Sequence, residues 1–315
     1  MAITISTTFV NQFSANVYFL SQQKGSRLKP FVRTESQKAE ISFYDRIGTV
    51  NASQKTGQNI DVVYSDVPFS RRGVTMYDYF VAELSDQEDK LRLIHSPESE
   101  FTQTFMMALG RTIDDIVIAA GLGNAQSGKD GKTIIAFPNS QKIAATETPV
   151  PTTAVGSKMT IQTLLAVKEK MDAAETGDEE RYIVMRAKQF TDLLSTTQVT
   201  SSDYNTVKAL VQGDLNTFVG FKFIRSERLP LTSAPTLYMK DTGAIVTTGQ
   251  TGTIPTGAYR SMAWQKLGII LSIGKDMTGK IDPLPHKHYS NQVYVCMSMG
   301  GVRMEEEKVV EIISI

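Results

Sequence analysis

The chain has 315 residues, 41% hydrophobic and 21% charged, which is enough apolar material for one large domain or two ordinary ones. Its 22 glycines and 11 prolines follow no period, and this excludes collagen-like and low-complexity disordered classes. Lysine plus arginine (33) balances aspartate plus glutamate (33), so the basic excess that drives sequence-independent nucleic-acid binding is missing.

The opening MAITISTTFVNQFSANVYFL lacks the basic start and compact apolar run of a secretory signal. No stretch approaches the roughly 18–20 apolar residues needed to cross a bilayer. Cys296 is the only cysteine, so a disulfide framework or a multi-cysteine zinc site is ruled out and a reducing compartment is expected.

In chain order, Phe9 or Val10, Phe13, Val17 and Leu20 recur at helical spacing and stop at Lys24-Gly25-Ser26. A polar segment, Leu28 to Gln37, reads as extended. Such an arm has little to pack on locally and is expected to be completed by a neighbour. Strand-like runs follow at Ile41–Ile47 and Val74–Leu84. Residues 48–73 lie between them, too long a connection for a compact domain unless it has a job. With strand propensity at Ile60–Tyr64, the whole predicts a long two-stranded ribbon with a polar tip near Asn51–Gln58. A lone hairpin is marginally stable in water, so a ribbon of this length implies docking on another subunit. A loose surface loop stays open as the alternative.

Residues 97–121 predict a helix. Ser96 can cap it, Pro97 suits its first turn, and Glu98 and Glu100 suit its dipole. Phe105, Leu109, Ile113, Ile116 and Ala120 share one face, and Gly121 and Gly123 end a rod of roughly 37 Å. Beyond a strand at Thr133–Phe137 and a Thr/Pro-rich linker at Ala144–Val155, helices are expected at Thr160–Ala174, Ala187–Ser195 and Asp203–Gln212. The first of these has Ile161, Leu164, Leu165, Lys168 and Met171 in phase. Strands are expected at Arg181–Met185, Phe218–Arg225, Thr236–Met239 and Ala244–Thr247. Two more, Gln292–Met297 and Val309–Ile313, are joined by a charged turn. Helices and strands segregate, so the fold class is α+β.

The chemistry-bearing patterns are weak. Gly123–Asp130 nearly matches a phosphate-binding loop, but Asp130 stands where the hydroxyl belongs and the segment leaves a helix rather than a strand. Gly121–Gln126 fails the dinucleotide pattern at its last position. His95, His286 and His288 lack the further ligands a metal needs. Cys296 reads as a small buried hydrophobe. Asp114 and Asp115 diverge around their helix and cannot share a proton, whereas Asp115 and Arg111 are four apart and suited to pair. Glu305-Glu306-Glu307-Lys308 reads as a solvated turn. No catalytic constellation, cofactor site or metal site is expected.

The ordered set of Ser65–Arg72, Ala108–Asp115, Arg181–Met185, Gln189-Phe190 with Leu193-Leu194, Gly220–Phe223 with Glu227–Pro230, and Met299–Arg303 through Val309–Ile312 resembles tailed-bacteriophage major capsid proteins of the Hong Kong 97-type fold. The resemblance spans nearly the whole chain and rests on order and spacing rather than on any one motif. It implies an N-terminal arm (1–45) and an extended loop (46–84). It further implies a peripheral domain (85–149 and 286–315) holding the spine helix, and an axial domain (150–285). The implied product is a shell of pentamers and hexamers of identical subunits around double-stranded DNA. It is found in the virion and assembled in the host cytoplasm with no membrane. Portal and decoration proteins are implied partners, and, for a chain that starts here, so is a separate scaffolding protein. Contacts with the packaged DNA should be weak, in keeping with the neutral charge.

Arg71 and Arg72, two cations beside the docking element, are expected to meet acids of a neighbouring subunit, and Asp66 and Lys55 are further contact candidates. A role within the subunit stays open. Two alternatives remain. An encapsulin-type nanocompartment shell would enclose cargo protein instead of DNA. A nucleotide-dependent enzyme would use Gly123–Lys132 and lose binding on Lys129→Ala.

Overall fold

The strands are β1 (Arg33–Ser36), β2 (Ile41–Ile47), β3 (Phe69–Thr75), β4 (Tyr77–Ser85), β5 (Ala125–Ser127), β6 (Thr133–Ile135), β7 (Lys142–Ala144), β8 (Arg181–Met185), β9 (Thr217–Phe218), β10 (Phe221–Arg225), β11 (Tyr259–Gln265), β12 (Ile269–Leu284), β13 (Ser290–Arg303) and β14 (Val309–Ser314). The helices are α1 (Glu98–Leu122), α2 (Ile161–Ala173) and α3 (Ala187–Leu194). This computed structural model describes residues 22–58, 61–62, 64–85, 98–144, 158–178, 180–194, 217–229 and 258–314. The expected first helix, the cap at Ser96 and Pro97, the helix at 203–212, the strands at 236–239 and 244–247, and His95 all lie outside those residues. The chain divides into two units. One is Met1–Ser26, Asp78–Thr112 and Lys275–Ser298; the other is Arg27–Tyr77, Ile113–Gly274 and Met299–Ile315.

The larger unit is built on a mixed six-stranded sheet in the order β7-β14-β11-β8-β10-β9. Its central strand β8, an unbroken apolar run flanked by Arg181, is buried at every position. Helices α2 and α3 pack Leu164, Val167, Met171, Phe190 and Leu193 against Ile183, Met185, Ala263, Val310 and Ile312. Thr160 caps α2 by accepting from the Thr163 amide. The buried stripe of α2 uses Val167, while Leu165, expected in phase, is 46% exposed. Arg181 holds the α2–β8 turn, donating to Thr176 O and Gly177 O and pairing with Asp172.

Two expected elements are redrawn. The run Val74–Leu84 breaks at Met76: Phe69–Thr75 pairs antiparallel with β2, from Ile41↔Thr75 to Ile47↔Phe69, while Tyr77–Ser85 joins a different sheet. β2 begins at Ile41, so residues past Thr75 have nothing left to pair with there. Asp61, Val62 and Tyr64 are in no strand, so the paired part of the ribbon is seven residues a side. The run Phe218–Arg225 divides at Val219 and Gly220, both at positive φ (54° and 84°), as the turn of a two-residue hairpin requires. The two expected tail strands are present, joined through residues 304–308, and lie in different sheets: β14 between β7 and β11, and β13 between β12 and β4.

The root of the N-terminal arm is anchored in this unit. Successive amides of Arg27 and Leu28 donate to the buried Asp114 carboxylate at 3.0–3.1 Å. Trp264, wholly buried, donates its indole N–H to Phe31 O at 3.0 Å. β1 then runs parallel to β12, with Arg33 opposite Ile270.

In the smaller unit, β13 buries Val293, Val295 and Met297 on one face, while Tyr294 stacks on Phe80 at 5.9 Å on the other. Here the chain at Gly25 crosses α1 so closely that a Cβ on Gly110 would lie 2.6 Å from Gly25 Cα. Arg111 donates to Gln22, and Asp115, its expected partner, is paired with Arg228. No helix among the described residues is long and apolar enough to cross a membrane.

Gly300 of β13 lies against backbone: an added Cβ would sit 2.2 Å from Thr75 O, a contact no side-chain rotation relieves. Gly300→Ala is therefore expected to destabilise the protein by at least the upper end of the about 1–3 kcal/mol typical of overpacking, read as a lowered urea midpoint at unchanged slope.

Candidate assembly interface at the ribbon base

β2 and β3 have two unlike faces. Outward lie Ile41, Phe43, Asp45, Ile47, Phe69 and Arg71; inward lie Tyr44, Arg46, Arg72 and Val74. Tyr44 and Val74 pack on Ile270, Val302 and Met304. Gly48 N–H donates to Pro68 O at 2.8 Å and closes the ladder, and residues 49–56 beyond it have no regular structure. Ile47 (69% exposed), Phe69 (73%), Val62 (74%) and Tyr64 (89%) stand in solvent on this one projection. Large apolar side chains gathered on a segment with no core of its own make it a candidate docking surface. Lys55 and Asp66 are exposed on the same connection.

The two candidate arginines part company. Arg71 is half-exposed, pairs across the strands with Asp45 at 2.6 Å and lies over the Phe43 ring. Its guanidinium holds the Asp45 carboxyl below the ordinary range, and Asp45 in turn raises Arg71. Arg72, one residue on, points inward and is wholly buried. It is therefore not available to a neighbour's acids: it binds Glu306 and donates to Met304 O. Period-two alternation separates adjacent residues of a strand in this way.

Glu306 corrects the solvated-turn reading of residues 305–308. It is only 24% exposed and accepts Arg72, with Arg46 at 3.6 Å and Arg303 at 3.7 Å. Arg303, wholly buried, donates to Gly121 O (2.9 Å) and Gly123 O (2.8 Å) at the end of α1 and lies over the Phe137 ring. A cation at a helix C-terminus meets both the free carbonyls and the negative end of the dipole. Burial pushes the Arg303 guanidinium down to about 10; Glu306 opposes this and Arg72 adds to it. The root of the ribbon, the end of the long helix and the C-terminal turn thus meet at one carboxylate. Arg46, Arg303 and Glu306 were missed in the sequence because nothing local links positions so far apart.

The remaining chemical candidates resolve structurally. Gly123–Lys132 supplies β5 and the turn of the hairpin β5–β6, with Gly128 and Gly131 at positive φ, and it leads into a strand rather than into the helix N-terminus that a phosphate-binding loop requires. His286 and His288 lie exposed on the turn at Pro285–Lys287. Among the described residues no three His, Cys, Asp or Glu side chains gather to hold a metal. Cys296 is not a core residue: alternation turns Val295 and Met297 inward and leaves its thiol accepting from Lys275 Nζ at 3.0 Å. Hydrogen bonds from Lys275 and Thr278 lower the thiol's pKa.

Two outcomes follow. Glu306→Gln removes the carboxylate that faces the buried Arg72 and Arg303 and should destabilise by about 3 kcal/mol, the lower end for breaking a buried pair because Glu306 retains some solvent; denaturant unfolding reads it. Iodoacetamide should alkylate Cys296 several-fold more slowly at neutral pH in Lys275→Met, since the thiolate is the nucleophile.

The sequence matches the phage capsid protein family over residues 5–314. No curated protein matches it significantly. Among solved structures, the capsid of cyanophage P-SCSP1u superposes with a TM-score of 0.73 at 13% identity, covering 100% of this chain and 95% of that one. The capsid of cyanophage Pam1 gives 0.70 at 12%, covering 99% and 98%. The head of Helicobacter pylori bacteriophage KHP40 gives 0.67 at 12%, again covering 99% and 98%. At these identities the structural likeness is one of fold, a mixture of sheets with few helices. The family match over almost every residue carries the assignment: this chain belongs to the phage capsid protein family.

Proposed function

We propose that this protein is the major capsid protein of a tailed double-stranded DNA bacteriophage, built on the Hong Kong 97-type plan, and that its copies close into an icosahedral head as pentamers and hexamers. The observation that carries the mechanism is the apolar set Ile47, Val62, Tyr64 and Phe69, exposed on one projection. Each such side chain is worth about 1.5–3 kcal/mol when fully buried, so a ribbon laid on an adjacent copy gains interface area that the subunit's own core does not supply. Contacts that are individually weak become durable when many must break together. A closed shell needs such head-to-tail contacts to return on themselves.

In this reading, residues 1–45 are an arm and 46–84 the extended loop. Residues 85–149 and 286–315, with the long helix, are the peripheral domain, and 150–285 the axial domain. Lys55, Asp66 and Arg71 are the polar contacts proposed at the rim of the docked ribbon. A separate scaffolding protein, a portal and decoration proteins complete the proposed set, with assembly in the host cytoplasm. A neutral chain suits a container that must release its DNA, because a basic lining would grip phosphate. The family match favours this over the nanocompartment shell.

Expression, with the phage's scaffolding protein if required, should yield closed shells in negative stain. The double substitution Ile47→Glu and Phe69→Glu should leave subunits that melt as the parent does but make no shells. Normal shells from that variant would remove the ribbon from the mechanism.

A further inference from the structure

The buried cluster behind the ribbon carries more positive charge than its acids neutralise. Arg46, Arg72 and Arg303 surround one carboxylate, Glu306. Arg46 is 21% exposed and reaches solvent, whereas Arg72 and Arg303 are wholly buried. Of the nearby acids, Glu305 pairs with Lys308, and the buried Glu311 pairs with Arg260 while its field also reaches Arg303. The carbonyls of Gly121 and Gly123 engage Arg303 Nη1, and a helix end offers only about half a charge. Two buried guanidinia against one carboxylate and that partial charge leave a surplus of roughly half to one positive charge.

The hydrogen-bond inventory leads to the same place. Arg72 Nη1, Arg303 Nε and Arg303 Nη2 are buried donors without a hydrogen-bond partner among the described residues. Arg303 Nη2 is 3.7 Å from Glu306, near enough to feel its charge and too far to donate to it. Buried donors left unmade cost about 1–3 kcal/mol each, and more when charged. Three together, on two cations that repel one another, form an arrangement that a protein rarely keeps unless something else completes it.

We propose that this cluster binds one monovalent anion of halide size, held between Arg72 and Arg303 behind Glu306. One negative charge balances the surplus, whereas a divalent oxyanion would overshoot it. The donors expose almost no surface, so the occupant is a small ion and not a side chain of another subunit. The ion would set how firmly the ribbon root, through Arg72, is joined to the helix end, through Arg303. Chloride would then stabilise the subunit specifically, by mass action on the folded state.

The test uses the whole protein in sodium gluconate, with chloride replacing gluconate at constant ionic strength. The folded-to-unfolded ratio, from urea unfolding, should rise tenfold for each tenfold rise in chloride above its dissociation constant. Chloride-35 line broadening should saturate over the same range. Arg72→Met, which removes one cation and one orphan donor at similar length, should abolish both responses. Sulfate, which stabilises proteins generally by exclusion, should act equally on both proteins. No chloride dependence in the parent would mean that water alone meets these donors, and an undiminished dependence in Arg72→Met would place the ion elsewhere; either overturns the proposal. Should Arg72→Met fail to fold, bromide soaked into crystals of the parent decides: an anomalous peak within hydrogen-bonding range of Arg72 Nη1 and Arg303 Nη2 supports the site, and its absence overturns it.

Discussion

One carboxylate, that of Glu306, is the point on which the base of the ribbon turns. It accepts the buried Arg72 from β3, lies beside Arg46 of β2, and sits near Arg303, whose other nitrogen closes the end of α1. Ion pairs taken out of water regain their desolvation cost only with good geometry and further hydrogen bonds. Here the further bonds are backbone carbonyls: Met304 O for Arg46 and Arg72, Gly121 O and Gly123 O for Arg303. Because those carbonyls belong to the C-terminal turn and the helix end, the strands cannot slip in register without stranding a charge. Apolar packing alone tolerates sliding; an arginine that must reach one particular oxygen does not.

The arm follows the same logic with a different device. Two consecutive amides converge on Asp114, and an indole N–H fixes the carbonyl of Phe31. Arm and ribbon both have anchored roots. The ribbon's distal part carries exposed apolar side chains and, among the described residues, no ladder past Gly48. A segment rigid at one end and unsatisfied at the other reaches in a defined direction, which is what a shell subunit needs when its neighbour supplies the missing surface.

The surface chemistry fits a container. Asp45 and Arg71 cancel on the outer face of the ribbon, and charges over the whole chain balance. Such exposed pairs add little stability and are screened by salt. They place polar groups on a face that is otherwise largely apolar.

Much of this was legible in the residues. The stripe Phe105, Leu109, Ile113, Ile116, Ala120 predicted the inner face of α1, buried from Leu109 on and half-buried at Phe105, and the run Arg181–Met185 predicted a buried strand, because periodicity and burial are local properties. The phage-capsid resemblance was legible too, through the order of many short pieces. Tertiary structure alone decided that Phe69–Thr75, and not Val74–Leu84, is the partner of β2, and that β14 joins the sheet of β8 and β11. It also turned Arg72 inward to Glu306 and Cys296 outward to Lys275. The reason is common to all four: a strand's sequence names its two faces but not which is covered, nor which distant edge it will pair with, and a shift of one residue exchanges core for surface.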